Sequence, residues 1–133
     1  MNSSFVAAAG LTMWVMTCGC LMAHAGLSKR EQAYQAKLSK YSSALQPGAK
    51  RSEVERYLRV NKLRFEQVCC FNHETSDLVQ IGRTHAGWPF CSGGTVNVAF
   101  VFSKAGPDTG PLHPDPTDVL RIVKLEEVPG ACF

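Results

Sequence analysis

A chain of 133 residues is long enough for one domain and too short for two of ordinary size. Its net charge of +3 at pH 7 is mildly basic and contains no long run of like charges, which argues against a nucleic-acid-binding arm. Charge is also unevenly placed: the first charged side chain is Lys29, and all four methionines lie in the uncharged stretch before it.

That stretch, "MNSSFVAAAGLTMWVMTCGCLMAHAGLS", reads as a segment with a separate job. The apolar run from Phe5 to Met16 has the length of a signal-peptide h-region, and Ala23-His24-Ala25 supplies small residues at the −3 and −1 positions of a cleavage site. The expectation is a signal peptide over 1–25, cleavage after Ala25, and a single exported domain over 26–133, periplasmic or secreted. The alternative is a retained single-span anchor: Phe5 to Leu27 is long enough to cross a bilayer, and Lys29 and Arg30 follow the apolar run rather than precede it. A lipid anchor at Cys20 fits poorly, because Thr17 stands where an aliphatic residue is wanted. Membrane contact is expected only if this segment is retained.

The domain opens with two helices. Ser28 and Glu31 have the spacing of a capping box, and Tyr34, Leu38, Tyr41 and Leu45 recur on one helical face. Pro47-Gly48 ends that helix. Ser52 and Glu55 repeat the box, and Val54, Tyr57 and Leu58 form the second apolar face, so the pair predicts an αα-hairpin. The hydrophobic period then changes to two. Segments 63–71, 77–83, 96–103 and 119–128 predict four strands. The third is apolar on both faces and should be central. No helix-length segment separates them, so they should pair as an antiparallel meander. The fold class expected is therefore α+β: an N-terminal αα-hairpin packed on a four-stranded antiparallel meander in two layers. The connection 104–118, with four prolines and two glycines, is a long irregular loop, more readily a solvated excursion than a binding loop.

Cys69, Cys70, Cys91 and Cys132 follow the expected cleavage site. In an exported domain they read as a disulfide scaffold, with three connectivities open to four cysteines. In a meander, the connection between the second and third strands and the end of the fourth strand share one rim of the sheet. This favours Cys91 with Cys132. Cys69 and Cys70, adjacent in a strand, should point to opposite faces. One is expected to be buried and inert and the other to be a spare thiol, able to pair between chains. If the segment bends, one of them would instead reach Cys91 or Cys132. A metal- or thiol-dependent activity at Cys69/Cys70 with His73 or His85 is the competing reading, but only one half of a zinc knuckle is present, and His113 stands apart from it. No cofactor is expected. Trp88, with His85 and Pro89, forms an aromatic, turn-rich loop that either plugs the sheet end or contacts a partner. No G-x-S-x-G, H-E-x-x-H, P-loop or G-x-G-x-x-G motif occurs. Arg83, Thr84 and His85 with Asp77 lack any spacing that would lift them above solvated polar residues. The chain is expected not to be an enzyme.

The stretch "LQPGAKRSEVERYLRVNKLRF", with its Pro-Gly turn, Ser-Glu-x-Val start and helix ending in Tyr-Leu, resembles the second helix of small bacterial envelope proteins of the SmpA/OmlA (BamE-type) and beta-lactamase-inhibitor-like kinds. The resemblance implies an exported domain with two N-terminal helices on an antiparallel sheet, acting through contact with a protein or envelope component rather than by catalysis. This chain departs from the pattern at Asn61-Lys62-Leu63, where a Gly-x-Pro turn is usual, and it lacks a convincing lipobox.

Overall fold

The computed structural model describes residues 27–71, 74–85, 91–106 and 113–132, with the backbone alone for 70 and 71. The expected cleavage site at Ala25, together with His73, Trp88 and Pro89, lies outside the described residues. Two helices and one four-stranded antiparallel sheet make the chain α+β. Among the described residues, no helix is long and apolar enough to cross a membrane.

Helix α1 (Lys29–Ala44) starts as its sequence dictates. The Ser28 hydroxyl accepts from the Glu31 N–H at 3.2 Å, and the Glu31 carboxylate accepts from the Ser28 N–H at 2.7 Å. These hydrogen bonds favour the ionised carboxylate and hold Glu31 below the usual carboxylate range. Tyr41 and Leu45 are buried and Leu38 packs beside them, so the apolar stripe faces inward.

Helix α2 (Arg51–Val60) begins earlier than its Ser52/Glu55 spacing predicts. The reason lies in the chain that precedes it. Gly48, at φ 96°, turns the backbone so that residues 48–50 run against the start of the fourth strand. Gly48 N–H donates to Leu120 O, and Leu120 N–H donates to Ala49 O, both at 2.8 Å. The first N–H groups of the helix, which lack intrahelical acceptors, then donate to the long loop: Arg51 to Asp118 O at 2.7 Å and Ser52 to Pro116 O at 3.1 Å. Loop carbonyls thus replace a serine cap. Glu53, not Glu55, reaches back to the cap, accepting from Lys50 N–H at 3.1 Å. Glu55 instead pairs with Arg59 at 2.6 Å and accepts from Gln67 at 2.8 Å. Lys62, at φ 57°, ends the helical path.

The strands are β1 (Glu66–Phe71), β2 (Glu74–Arg83), β3 (Thr95–Ser103) and β4 (Val119–Val128), in that order across the sheet. The expected strand over 63–71 begins later, because Leu63 and Phe65 pack against the core from the connection after α2. The expected strand over 77–83 begins earlier, at Glu74. Strand β3 is buried from Val96 through Phe102, as a central strand should be. Register places Asp77, Phe100 and Val123 in one row and Val79, Val98 and Leu125 in the next. This face meets the helices: Tyr41, Leu45, Val54 and Leu58 close over Val79, Val98, Phe100, Phe102 and Leu120. Each such side chain contributes about 1.5–3 kcal/mol on burial. Tyr41 and Phe100 add a tilted ring contact at 6.0 Å. Strand β2 carries an irregularity between Gln80 and Gly82, and α1 crosses it so closely that a Cβ at Gly82 would overlap the Tyr34 ring.

Candidate functional site

Cysteine chemistry settles first. Cys91 and Cys132 form a disulfide, and an isolated bridge pairs the same two residues. Ser92 N–H donates to Ala131 O at 2.9 Å beside it, and the Ser92 carbonyl leaves no room for a side chain at Gly130. The end of the chain is therefore strapped to the β2–β3 connection, on the shared rim that meander topology requires. Cys69 corrects its expected role as an inert or spare thiol. It is disulfide-bonded, and because Cys91 and Cys132 bond each other it reaches neither of them. A sulfur in a disulfide is not a thiolate ligand. His85 is exposed. Among the described residues, no three His, Cys, Asp or Glu side chains converge to hold a metal ion.

A second cluster is not legible in the sequence. Asp77, expected among solvated polar residues, is fully buried, as are Arg51 at the start of α2 and Asp118 at the end of the long loop. Arg51 Nη2 donates to Asp77 Oδ1 at 3.0 Å, and Nη1 donates to Asp118 Oδ2 at 3.0 Å and to Thr75 Oγ1 at 3.1 Å. The guanidinium stacks 4.2 Å from the Phe102 ring centroid. A cation at a helix N-terminus opposes the helix dipole, and two carboxylates offset that here. Among the described residues, Asp77 Oδ2 and Arg51 Nε have no hydrogen-bond partner. Loss of water therefore dominates at Asp77: burial pushes its carboxyl up to about 6, against the pull of Arg51. With all three groups at most 2 % exposed, the cluster ties helix, sheet and loop together and presents nothing to a ligand.

The opposite face of the sheet has a different character. The helices cover one side only, and the other side holds a groove of about 750 Å³. Its floor comes from alternate residues of β1 and β2, Val68, Ser76 and Leu78, and from Asn97 of β3. Asn97 is buried and donates to Thr95 Oγ1 at 2.9 Å. Val128, at the β4 end, is 40 % exposed and Val68 is 39 % exposed; Ile122 on the same face is 45 % exposed. The charged lining comprises Glu66, Glu74, Glu126, Glu127 and Arg64. Glu74 pairs with Arg121 and Glu126 with Lys124, both at the surface. Among the described residues, Glu66 enters no ion pair, and Glu127, in the register row of Val96, has the parity of the helix-covered face. The arrangement offers a partly apolar, amide-bearing floor between rims that carry both charges, with Arg121 beside Glu74 and Lys124 beside Glu126. It is suited to binding.

No family model, no curated protein and no solved structure matches the chain.

Proposed function

We propose that this is an exported, non-enzymatic domain that binds a protein or envelope component across the open face of its sheet. The groove over Val68, Leu78 and Asn97 is the observation that carries the reading. It is concave and partly apolar, and it lies on the side of the sheet away from α1 and α2. Grooves of this volume with a few polar groups are the usual form of binding sites. The packing of Tyr41, Leu45, Val54 and Leu58 over the opposite face supports a two-layer αα-hairpin design that leaves this face to a partner.

Export is part of the same reading. The Cys91–Cys132 disulfide supports it, since such bonds persist in oxidising compartments, and so does a leader-like segment over 1–25. The likeness of "LQPGAKRSEVERYLRVNKLRF" to small envelope domains supports a role through contact. A thiolate-metal activity around Cys69 would require the Cys69 disulfide to be reduced first.

Two measurements test the reading. A photo-crosslinking residue placed at Val68 in producing cells should give one discrete adduct, and the same residue at Ser39, on the exposed side of α1, should give none. Intact mass with thiol alkylation before and after reduction should show residues 1–25 missing and no reactive thiol at Cys91 or Cys132. Equal crosslinking from both positions, or a full-length chain with reactive thiols, would overturn it.

A further inference from the structure

We infer that the outer edge of β4 takes a second copy of this chain, whose own β4 adds antiparallel with Leu125 opposite Leu125. The inference concerns a sheet edge and does not depend on the reading of the open face.

The backbone supplies the template. β4 is ten residues long and stands at one end of the sheet. Residues 48–50 cover only its start, through the hydrogen bonds that join Leu120 to Gly48 and Ala49. Among the described residues, nothing pairs with the outer edge beyond Leu120. Along an antiparallel ladder, opposed pairs alternate: one exchanges hydrogen bonds, and the next turns its N–H and C=O groups away. Leu120, opposite Phe102, turns its groups outward to residues 48 and 49. The rows of Phe100, Val98 and Val96 follow at steps of two along β3, so Val123, Leu125 and Glu127 present their N–H and C=O groups outward as well. An uncovered row of this kind accepts another strand.

The side chains select which strand. Two identical edges that close as a pair are related by a two-fold axis and so run antiparallel. With Leu125 opposite itself, outward groups meet outward groups. Leu125 then exchanges hydrogen bonds with Leu125 of the second copy, and Val123 with its Glu127. The alternate pairs bring side chains closest. They set Lys124 opposite Glu126 of the second copy, twice over by symmetry. They also set Ile122 opposite Val128, the two exposed large apolar residues of β4. The other registers fail on charge or on space. Moving the axis by one residue places Lys124 or Glu126 opposite itself. Moving it by two toward the C-terminus places Glu127 opposite itself. Moving it by two toward the N-terminus brings Glu126 of the second copy to Leu120, where residues 48–50 already lie. Like charges directly opposite are destabilising, and opposite charges add to the pairing. A lysine on an edge ordinarily blocks pairing; here Lys124 admits one partner in one register. The axis stands perpendicular to the sheet, so both helix layers fall on one side and the two open faces join into a single surface.

The test is light scattering over a concentration series of the chain recovered from producing cells. The unsubstituted chain should move toward twice its monomer mass as concentration rises. Lys124→Glu places carboxylates opposite carboxylates, and Glu126→Lys places ammonium groups opposite ammonium groups. Each variant alone should self-associate at least about tenfold more weakly. Mixed in equal amounts the two should associate again, because both carboxylates of one strand then face both ammonium groups of the other. Lys124 and Glu126 are surface residues, 48 % and 40 % exposed, and circular dichroism confirms that the variants fold. A chain that stays monomeric up to about 1 mM, single variants that dimerise as well as the unsubstituted chain, or a mixture that stays monomeric would each overturn the inference.

Discussion

The two faces of this sheet handle charge in opposite ways. On the helix side, Arg51, Asp77 and Asp118 are almost wholly removed from water and answer one another at 3.0 Å. On the open side, Glu66 stands at the groove without an ion pair among the described residues. A buried charge without a partner is costly, so the inner charges are committed to each other. An exposed charge is well solvated alone, so Glu66 needs no partner of its own. Structural charge and solvated charge are thus separated on one small sheet, and each substitution below tests where that boundary lies.

The largest effect is expected on the inner face. Arg51→Ala leaves two buried carboxylates facing each other across an empty space and removes the stacking on Phe102. It should cost about 3–5 kcal/mol in urea unfolding. Glu66→Gln on the other face should change stability by less than about 0.5 kcal/mol. If the two variants lose similar amounts, charge on the two faces is not distinguished by role.

The disulfide follows. Cys91 and Cys132 are 41 residues apart, and closing a loop of that length stabilises the fold by about 3–4 kcal/mol in the chain-entropy account. The Cys91→Ser/Cys132→Ser variant should lose that amount in denaturant titration. It should also free the backbone after Pro129, which borders the groove, so crosslinking from Val68 should weaken along with stability. Unchanged stability would show that the hydrogen bond between Ser92 and Ala131 secures the rim alone.

Much of this architecture is written locally. The stripe from Tyr34 to Leu45 makes α1, the alternation of Val96, Val98, Phe100 and Phe102 marks the central strand, and the meander order brings Cys91 to Cys132. The charged cluster is not local. Arg51 lies 26 residues from Asp77 and 67 from Asp118, and each is a lone polar residue of the kind that usually marks a solvated position. One signal is present. Asp77 has the parity of Val79 and Ile81 and so points to the same face, where a carboxylate needs a cation. The start of α2 is hidden for a related reason: its capping groups are Asp118 O and Pro116 O, far along the chain. The groove is hidden because it depends on which face two short helices leave uncovered, which periodicity does not reveal.

Acidity should read the inner cluster directly. Asp77 is faced by Arg51, Asp118, Thr75 and, from α2, Glu55 and Arg59, and burial raises its carboxyl from an ordinary 3.8 to about 6. Between these values the native state holds a proton that the unfolded chain has released. Stability should therefore fall as pH rises from about 4 to 6, by at most about 1.4 kcal/mol per pH unit, and the contribution should be flat above that window. Asp77→Asn keeps the shape and removes the titration, so its unfolding free energy should lack this slope and should match or exceed that of the unsubstituted chain at pH 7. A slope of the same size in Asp77→Asn would assign the titration to another group.

The smallest effect should come from the exposed apolar residues of the open face. Ile122 is 45 % exposed in β4, beside a buried Val101 in the same register row. If this face is held for a ligand and not for the fold, Ile122→Ser should shift stability by no more than about 0.5 kcal/mol, within the range of ordinary surface changes. Val98→Ala, on β3 and directed at the helices, should cost about 1–3 kcal/mol by opening the core. Thermal melts of the two variants make the test. A large loss from Ile122→Ser would mean that the outer face is a second core, in which case its exposed valines and isoleucine belong to the fold and the groove loses its claim to a partner.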